Sequence, residues 1–214
     1  MSGADSPPSG GVRADARRSR ARVLEAARAT FATEGVAVSF NEIARSAGVG
    51  AATLYRHFPK REDLIAAVVG ESLGEVTALA ESLCAETDLE DGLRQWLIAL
   101  VSHIRQVRGL SEEIVRALET PGNPLAPHCE AAMVAAEGLL SKAQRAGHAR
   151  TGVAVDDLVR MATAIAWTGD RSADDASVDR LLDLVLCGVL TRPIVRNNAK
   201  ALGPTETHDC GTPG

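Results

Sequence analysis

Apolar residues recur along this chain at three- and four-residue spacings, broken by short stretches rich in Gly, Pro and Asp, and no segment keeps a strand's two-residue alternation for long. The pattern predicts an all-α protein. Val23, Ala27 and Phe31 in i, i+4 register predict a first helix from about Ala16 to Glu34, closed by Gly35. A short second helix is expected over Phe40 to Ala47, because Ser39 in front and Glu42 three residues on form a capping box. Gly48-Val49 breaks the periodicity, and a third helix carries Thr53, Tyr55, Arg56 and His57, with Leu54 and Phe58 facing the core. After Pro59, a long helix over about 61–85 aligns Leu64, Ile65, Val68, Val69, Leu73, Val76, Leu79 and Leu83. At ~1.5 Å per residue it spans on the order of 35 Å, enough to enter two cores. Gly70 and Gly74 weaken it locally. Five further helices follow, over Leu89 to Arg108, Ser111 to Glu119, Pro127 to Ala146, Val155 to Thr168 and Ser177 to Leu190, about nine in all.

Two short helices about a Gly-containing turn form a helix-turn-helix, whose second helix enters the DNA major groove while the first crosses the backbone. The expected organisation is a disordered arm over 1–15, a three-helix DNA-binding domain over 16–66, a second helical domain over 67–192, and a disordered tail over 193–214.

Arg22 to Ala27, Phe31, Gly35, Ile43-Ala44, Ala47 to Val49, Thr53 to Tyr55, His57-Phe58, Lys60 and Leu64 together resemble the amino-terminal domain of the TetR family of bacterial transcriptional repressors. The likeness spans roughly residues 20 to 66. It implies DNA contacts at Thr53, Tyr55, Arg56, His57 and Lys60, and assigns ligand binding and dimerisation to the helical domain over 67–192. Tyr55 and His57 suit phosphate oxygens, Lys60 is a point charge near a helix start, and Thr53 offers a hydroxyl and a methyl to a base edge. Arg56 is a candidate for either base or phosphate. Arg20 and Ser39 complete the DNA-binding set. At Gly50 and Ala51 the chain departs from the family, where a hydroxylated cap and a longer polar side chain are usual, so reading leans on Thr53, Arg56, the arm and DNA shape.

A net charge of −5 looks wrong for such a protein until it is divided. Residues 1–64 hold ten Lys or Arg against seven Asp or Glu, a balance of +3, and the remainder holds 13 against 21, a balance of −8. The basic part coincides with the motif. Arg13, Arg17, Arg18, Arg20 and Arg22 form an arm suited to phosphates or a minor groove, or else a solvated tail. No run is apolar enough for a membrane span or a signal peptide, which places the chain in the cytoplasm. Cys84, Cys129, Cys187 and Cys210 lack metal or disulfide spacing and read as idle thiols, and no metal site or cofactor is expected.

In the second domain, Trp96, Leu100, His103 and Ile104 share a helix face that suits an effector cavity, with His128, Met133, Glu137, Met161 and Trp167 as further candidates. The last two helices carry Leu158 and Ile165, and Leu181, Leu182, Val185, Leu186 and Val189, a band wider than one core stripe. The resemblance implies that such helices pair across a homodimer, which suits palindromic operators. No nucleophile beside a base, phosphate loop or carboxylate dyad points to an enzyme. The function expected is a ligand-responsive regulator, a repressor released from double-stranded operator DNA by a small molecule. The alternative is a helical binding or interaction protein with a degenerate reading helix.

Overall fold

The computed structural model describes residues 9–171 and 175–191. They form nine α-helices in the order α1 (Ser9–Glu34), α2 (Phe40–Ser46), α3 (Ala51–His57), α4 (Arg61–Leu83), α5 (Leu89–Arg105), α6 (Leu110–Glu119), α7 (Ala126–Arg145), α8 (Val155–Arg171) and α9 (Asp175–Val189). Ala149 and Leu190 form an isolated antiparallel bridge that ties the α7–α8 turn to the end of α9. The all-α reading is met, and the helix ends differ from it by a few residues. The exception is α1, which starts at Ser9, so residues 9–15 are helical where an irregular arm was expected. Residues 1–8, and the expected disordered tail over 193–214, lie outside the described residues.

The first three helices wrap one small core. Val23, Ala27 and Phe31 of α1, Phe40 and Ile43 of α2, and Leu54 and Phe58 at α3 are buried together with Leu64 and Ile65 of α4. The rest of α4 turns Leu73, Val76, Ala80 and Leu83 into the body's share of the same connected core, where α7 is its most extensive neighbour and α5 the next. The two glycines of α4 have different surroundings. A Cβ on Gly70 would meet the His128 ring at 2.7 Å, whereas one on Gly74 would meet nothing within 4 Å.

The small core is also fastened to the rest of the molecule by polar contacts, one at α4 and one beyond it. Gly35 adopts φ +85°, a left-handed conformation, and lets the chain run against the carbonyl of Arg108, to which the Val36 amide donates at 3.0 Å. Arg28 of α1 pairs with Glu71 of α4. In the body, α8 packs mainly on α5, and α9 packs on both α8 and α5. Arg94–Asp183 at 3.5 Å and Arg105–Asp175 at 2.6 Å brace α5 against α9.

The body buries one imidazole. His103 is 5% exposed, its Nε2 has no hydrogen-bond partner, and burial pushes its pKa from an ordinary 6.5 down to about 4. The folded protein therefore keeps it neutral. Between those two values the unfolded chain binds a proton that the folded chain excludes, so stability falls as the pH drops through this window. Going from pH 7 to 4 should remove up to about 3 kcal/mol through this residue. Urea midpoints against pH for the parent and for His103→Leu test it: the variant should have the flatter profile, and parallel profiles would remove His103 as the source. In α4, Gly74→Ala should raise stability by about 0.5–1 kcal/mol in the same denaturation assay, since the position is open and mid-helix. Gly70→Ala should gain less or lose, because the ring of His128 must first move aside.

Candidate nucleic-acid interface and helical-body groove

The turn between α2 and α3 is built from local chemistry. The Ser39 hydroxyl accepts the Glu42 amide at 3.2 Å, and the Ser39 amide donates to Glu42 Oε2 at 3.1 Å, which closes the capping box of α2. The Ser39 hydroxyl also donates to that carboxylate at 2.7 Å, and these bonds hold the Glu42 pKa below the usual carboxylate value. Gly48 ends α2 with φ +63°, and the Val49 amide returns to Ala44 O at 3.0 Å. Gly50 then caps α3 in extended geometry with no side-chain hydrogen bond. Because Leu54 and Phe58 are buried, α3 presents its opposite face outward.

That face carries Ala52, Tyr55 and Arg56, with Thr53 and His57 half-buried beside it. Tyr55 is 51% exposed, and its ring stands 5.2 Å from that of Phe40. Lys60 is exposed, while its amide donates to Asp63 Oδ2 at 3.0 Å and starts α4. Arg20 lies over the Phe58 ring at 5.2 Å, so one turn of α1 adds a cation beside α3. The structure thus brings Arg20, Thr53, Tyr55, Arg56, His57 and Lys60 to one end of the molecule. Ser39 caps α2, with its hydroxyl donating to Glu42. His57 Nε2 is buried without a partner.

One residue that the sequence reading passed over holds this end together. Arg61 donates to the carbonyls of Val36 and, at 2.8 Å, of Val38, and its guanidinium stands 5.5 Å from the Phe40 ring centre. It staples the start of α4 to the α1–α2 loop. No spacing signal identifies such a residue, because its partners are 23 and 25 positions away.

The expected dimer residues are largely used up inside the protomer. Leu158, Ile165, Leu182, Leu186 and Val189 are all buried in the single chain, and Leu181 and Val185 are half-buried. Their band is wide because α9 fills against α5 as well as α8. The exposed positions of α8 and α9 include Met161, Ala164, Thr168, Leu184, Cys187 and Gly188, with Leu184 68% exposed, and also charged side chains such as Asp157, Arg160, Asp179 and Arg180.

The expected effector residues are likewise not gathered into one site. Trp96, Leu100, His103 and Ile104 are packed in the core, His128 is exposed against Gly70, Met133 is half-buried, and Glu137 bonds Ser141 on the surface. Met161 and Trp167 belong to the outer side of α8. Trp167 lines a groove, a space of about 570 Å³ between α6 and α8. Its floor is Ser111, Ile114, Val159 and Thr163, all buried, and its rim includes Val115, Leu118 and Trp167. Trp167 Nε1 donates to Glu112 Oε1 at 3.1 Å, and Arg171 lies 3.8 Å from the indole centre and 3.6 Å from that carboxylate. A clasp of three side chains thus links α6 to α8. Among the described residues, no group of three His, Cys, Asp or Glu is placed to hold a metal, and no helix is long and apolar enough to cross a membrane.

The arrangement at both ends of the chain matches known proteins. The family model for bacterial regulatory proteins of the TetR family matches residues 23–68, and that for the C-terminal domain of SbtR-like transcriptional regulators matches residues 88–191. A helix-turn-helix-type transcriptional regulator of Staphylococcus aureus is 43% identical over 63 residues, which cover 29% of this chain and 34% of the relative. The match therefore spans about a third of that curated relative. The crystal structure of the TetR transcriptional regulator SCO0520 from Streptomyces coelicolor is 32% identical, covers 82% of this chain and 99% of its own, and superposes with a TM-score of 0.57. A TetR transcription regulatory protein from Mycobacterium vanbaalenii, also 32% identical, covers 84% and 99% with a TM-score of 0.53. With both halves of the chain matched and a 32% identical structure aligned over most of its length, the chain belongs to the TetR family of bacterial transcriptional regulators.

Proposed function

We propose that this DNA-binding regulator is a homodimeric repressor in the cytoplasm that leaves a palindromic operator when a small molecule occupies its helical body. The observation that carries this reading is the double attachment of the DNA-binding end. It is joined to the body by the continuous α4 and, separately, by the Val36–Arg108 hydrogen bond just ahead of α6. A change in how α6 and α4 pack is thereby delivered to the α1–α2 loop and to α3 together. An effector acts if it binds the splayed form better than the operator-bound form. The domains we assign are 16–66 for DNA binding and 67–192 for ligand response and dimerisation, with α1 extending the first toward residue 9.

On DNA, Tyr55, His57, Lys60 and Arg20 serve the phosphates, and Thr53 and Arg56 face the bases. Lys60→Ala should weaken specific and random duplexes about equally and lower the salt slope by about one unit. Arg56→Ala should cost roughly 1–3 kcal/mol on the specific site and relax its sequence preference. Fluorescence anisotropy on an operator selected from a random library reads both, and equal losses on both duplexes for Arg56→Ala would assign it to the backbone. Failure of the parent to select any sequence would favour the degenerate-head alternative.

For the dimer we assign the part of the exposed surface that carries Met161, Ala164, Thr168, Leu184, Cys187 and Gly188, where small residues beside two large apolar ones let two α8–α9 pairs approach. Leu184→Asp should give a folded monomer in sedimentation with an unchanged urea midpoint at low protein concentration, because the site is solvated in the single chain. Retention of the full dimer would move the interface elsewhere.

A further inference from the structure

We infer that the groove between α6 and α8 is the effector's seat, and that it takes an uncharged, largely apolar molecule bearing one hydroxyl or carbonyl. The inference rests on the ligand-responsive reading above, and names the site and chemistry that the reading leaves open.

A space of about 570 Å³ lies within the range of small-molecule sites, and its walls are Ile114, Val115, Leu118, Val159, Ala164 and Trp167. Among these apolar walls stands one polar group that the protein leaves unpaired. Ser111 is 2% exposed, lines the groove, and its Oγ has no hydrogen-bond partner in the chain. A buried hydroxyl without a partner carries a desolvation penalty, which a ligand oxygen at the same place removes. Thr163, the second hydroxyl of the floor, spends its proton on Val159 O at 2.8 Å and keeps lone pairs to accept with. Ser111 as donor and Thr163 as acceptor suit an alcohol on both counts, and Ser111 alone suits a carbonyl.

The rim rejects anions. Its charged side chains are Glu112, Glu119 and Arg160; Arg160 is already bound to Asp156 at 2.6 Å and Glu112 to Arg171 at 3.6 Å, which leaves Glu119 as the charge facing a ligand. Nor is the groove simply the dimer face. At 100° per residue, Arg160, Thr163 and Trp167 lie on the flank of α8 toward α6, and Met161 and Thr168 lie on the other. The exit route for the signal is short. Gly109 caps the start of α6 in left-handed geometry at φ +83°, and the residue before it supplies the carbonyl that holds Val36. A ligand that parts α6 from α8 must loosen the Glu112–Trp167–Arg171 clasp and pull on that joint.

The test uses the full chain and the 1-alkanols from pentanol to nonanol, with the matching alkanoates as controls. Acrylamide should quench the exposed Trp167 and spare the buried Trp96, so protection by an alkanol reports the groove. Calorimetric affinity should rise roughly fourfold per methylene, as expected for apolar burial. Ser111→Ala should lower it about 3- to 10-fold, the worth of one neutral hydrogen bond. Val115→Trp, at an exposed rim position, should abolish binding while sedimentation still gives the parent's oligomeric state. Nonanoate should bind more weakly than nonanol. Binding that ignores both substitutions, no protection by any alkanol, or a Val115→Trp chain that changes oligomeric state would each overturn the assignment, the last by making the groove a subunit contact. Operator release by nonanol in the Val115→Trp chain would likewise overturn the site but leave the ligand-responsive reading intact. Groove binding that leaves operator affinity unchanged would support the alcohol site and sink the regulatory reading on which its role as an effector seat depends.

Discussion

The position of the DNA-binding end is set by α4, because one continuous helix supplies side chains to both the small end and the body of one connected core. Leu64, Ile65, Val68 and Val69 close the small core, and a turn later Leu73, Val76, Ala80 and Leu83 belong to the body with α5 and α7. A helix cannot satisfy two packings independently, since its side chains keep a fixed angular relation. Any reorientation in the body therefore turns the small core with it. Arg61 at the start of α4 extends the constraint to the α1–α2 loop by holding the carbonyls of Val36 and Val38.

Within the body, α8 divides its circumference among three duties. Leu158, Ala162, Ile165 and Ala166 are spent on the interior, Thr163 and Trp167 on the groove beside α6, and Met161 and Thr168 on the surface next to α9. Such a division explains why a helix with so many apolar residues is neither a plain core helix nor a plain interface helix. It also puts the proposed ligand contacts and the proposed subunit contacts on adjacent flanks of one helix, so that they share Ala164.

Local signals in the sequence carried the fold well. The Ser39–Glu42 box, Gly35, Gly48 and the i, i+4 stripes act within a few residues, and they placed the helices closely. The start of α1 went astray because Ser, Pro and Gly near residue 9 read as irregular while the arginines after them propagate the helix backward. The outward face of α3 was legible for a related reason: burying Leu54 and Phe58 leaves Tyr55 and Arg56 only one direction. Sites that depend on which helices meet were not legible. The stripe of Trp96, Leu100 and Ile104 and the band of Leu182, Leu186 and Val189 are ordinary interior once α5, α8 and α9 close on one another. The groove unites Ser111 and Thr163, 52 positions apart, and no periodicity in one helix announces a partner in another.

The contact of Gly35 with the Arg108 carbonyl also governs how the molecule can be recombined. Beside α4, the small core meets the body at this loop, where a Cβ would stand 2.7 Å from a carbonyl oxygen, and Arg28 and Ala32 of α1 face Gln106 and Val107 across a cavity. A graft of another reading head onto this body needs a seam within α4, a glycine at that loop and an α1 face that fits Gln106 and Val107. Lineages that exchange heads between bodies would therefore keep this glycine while the surfaces on either side diverge.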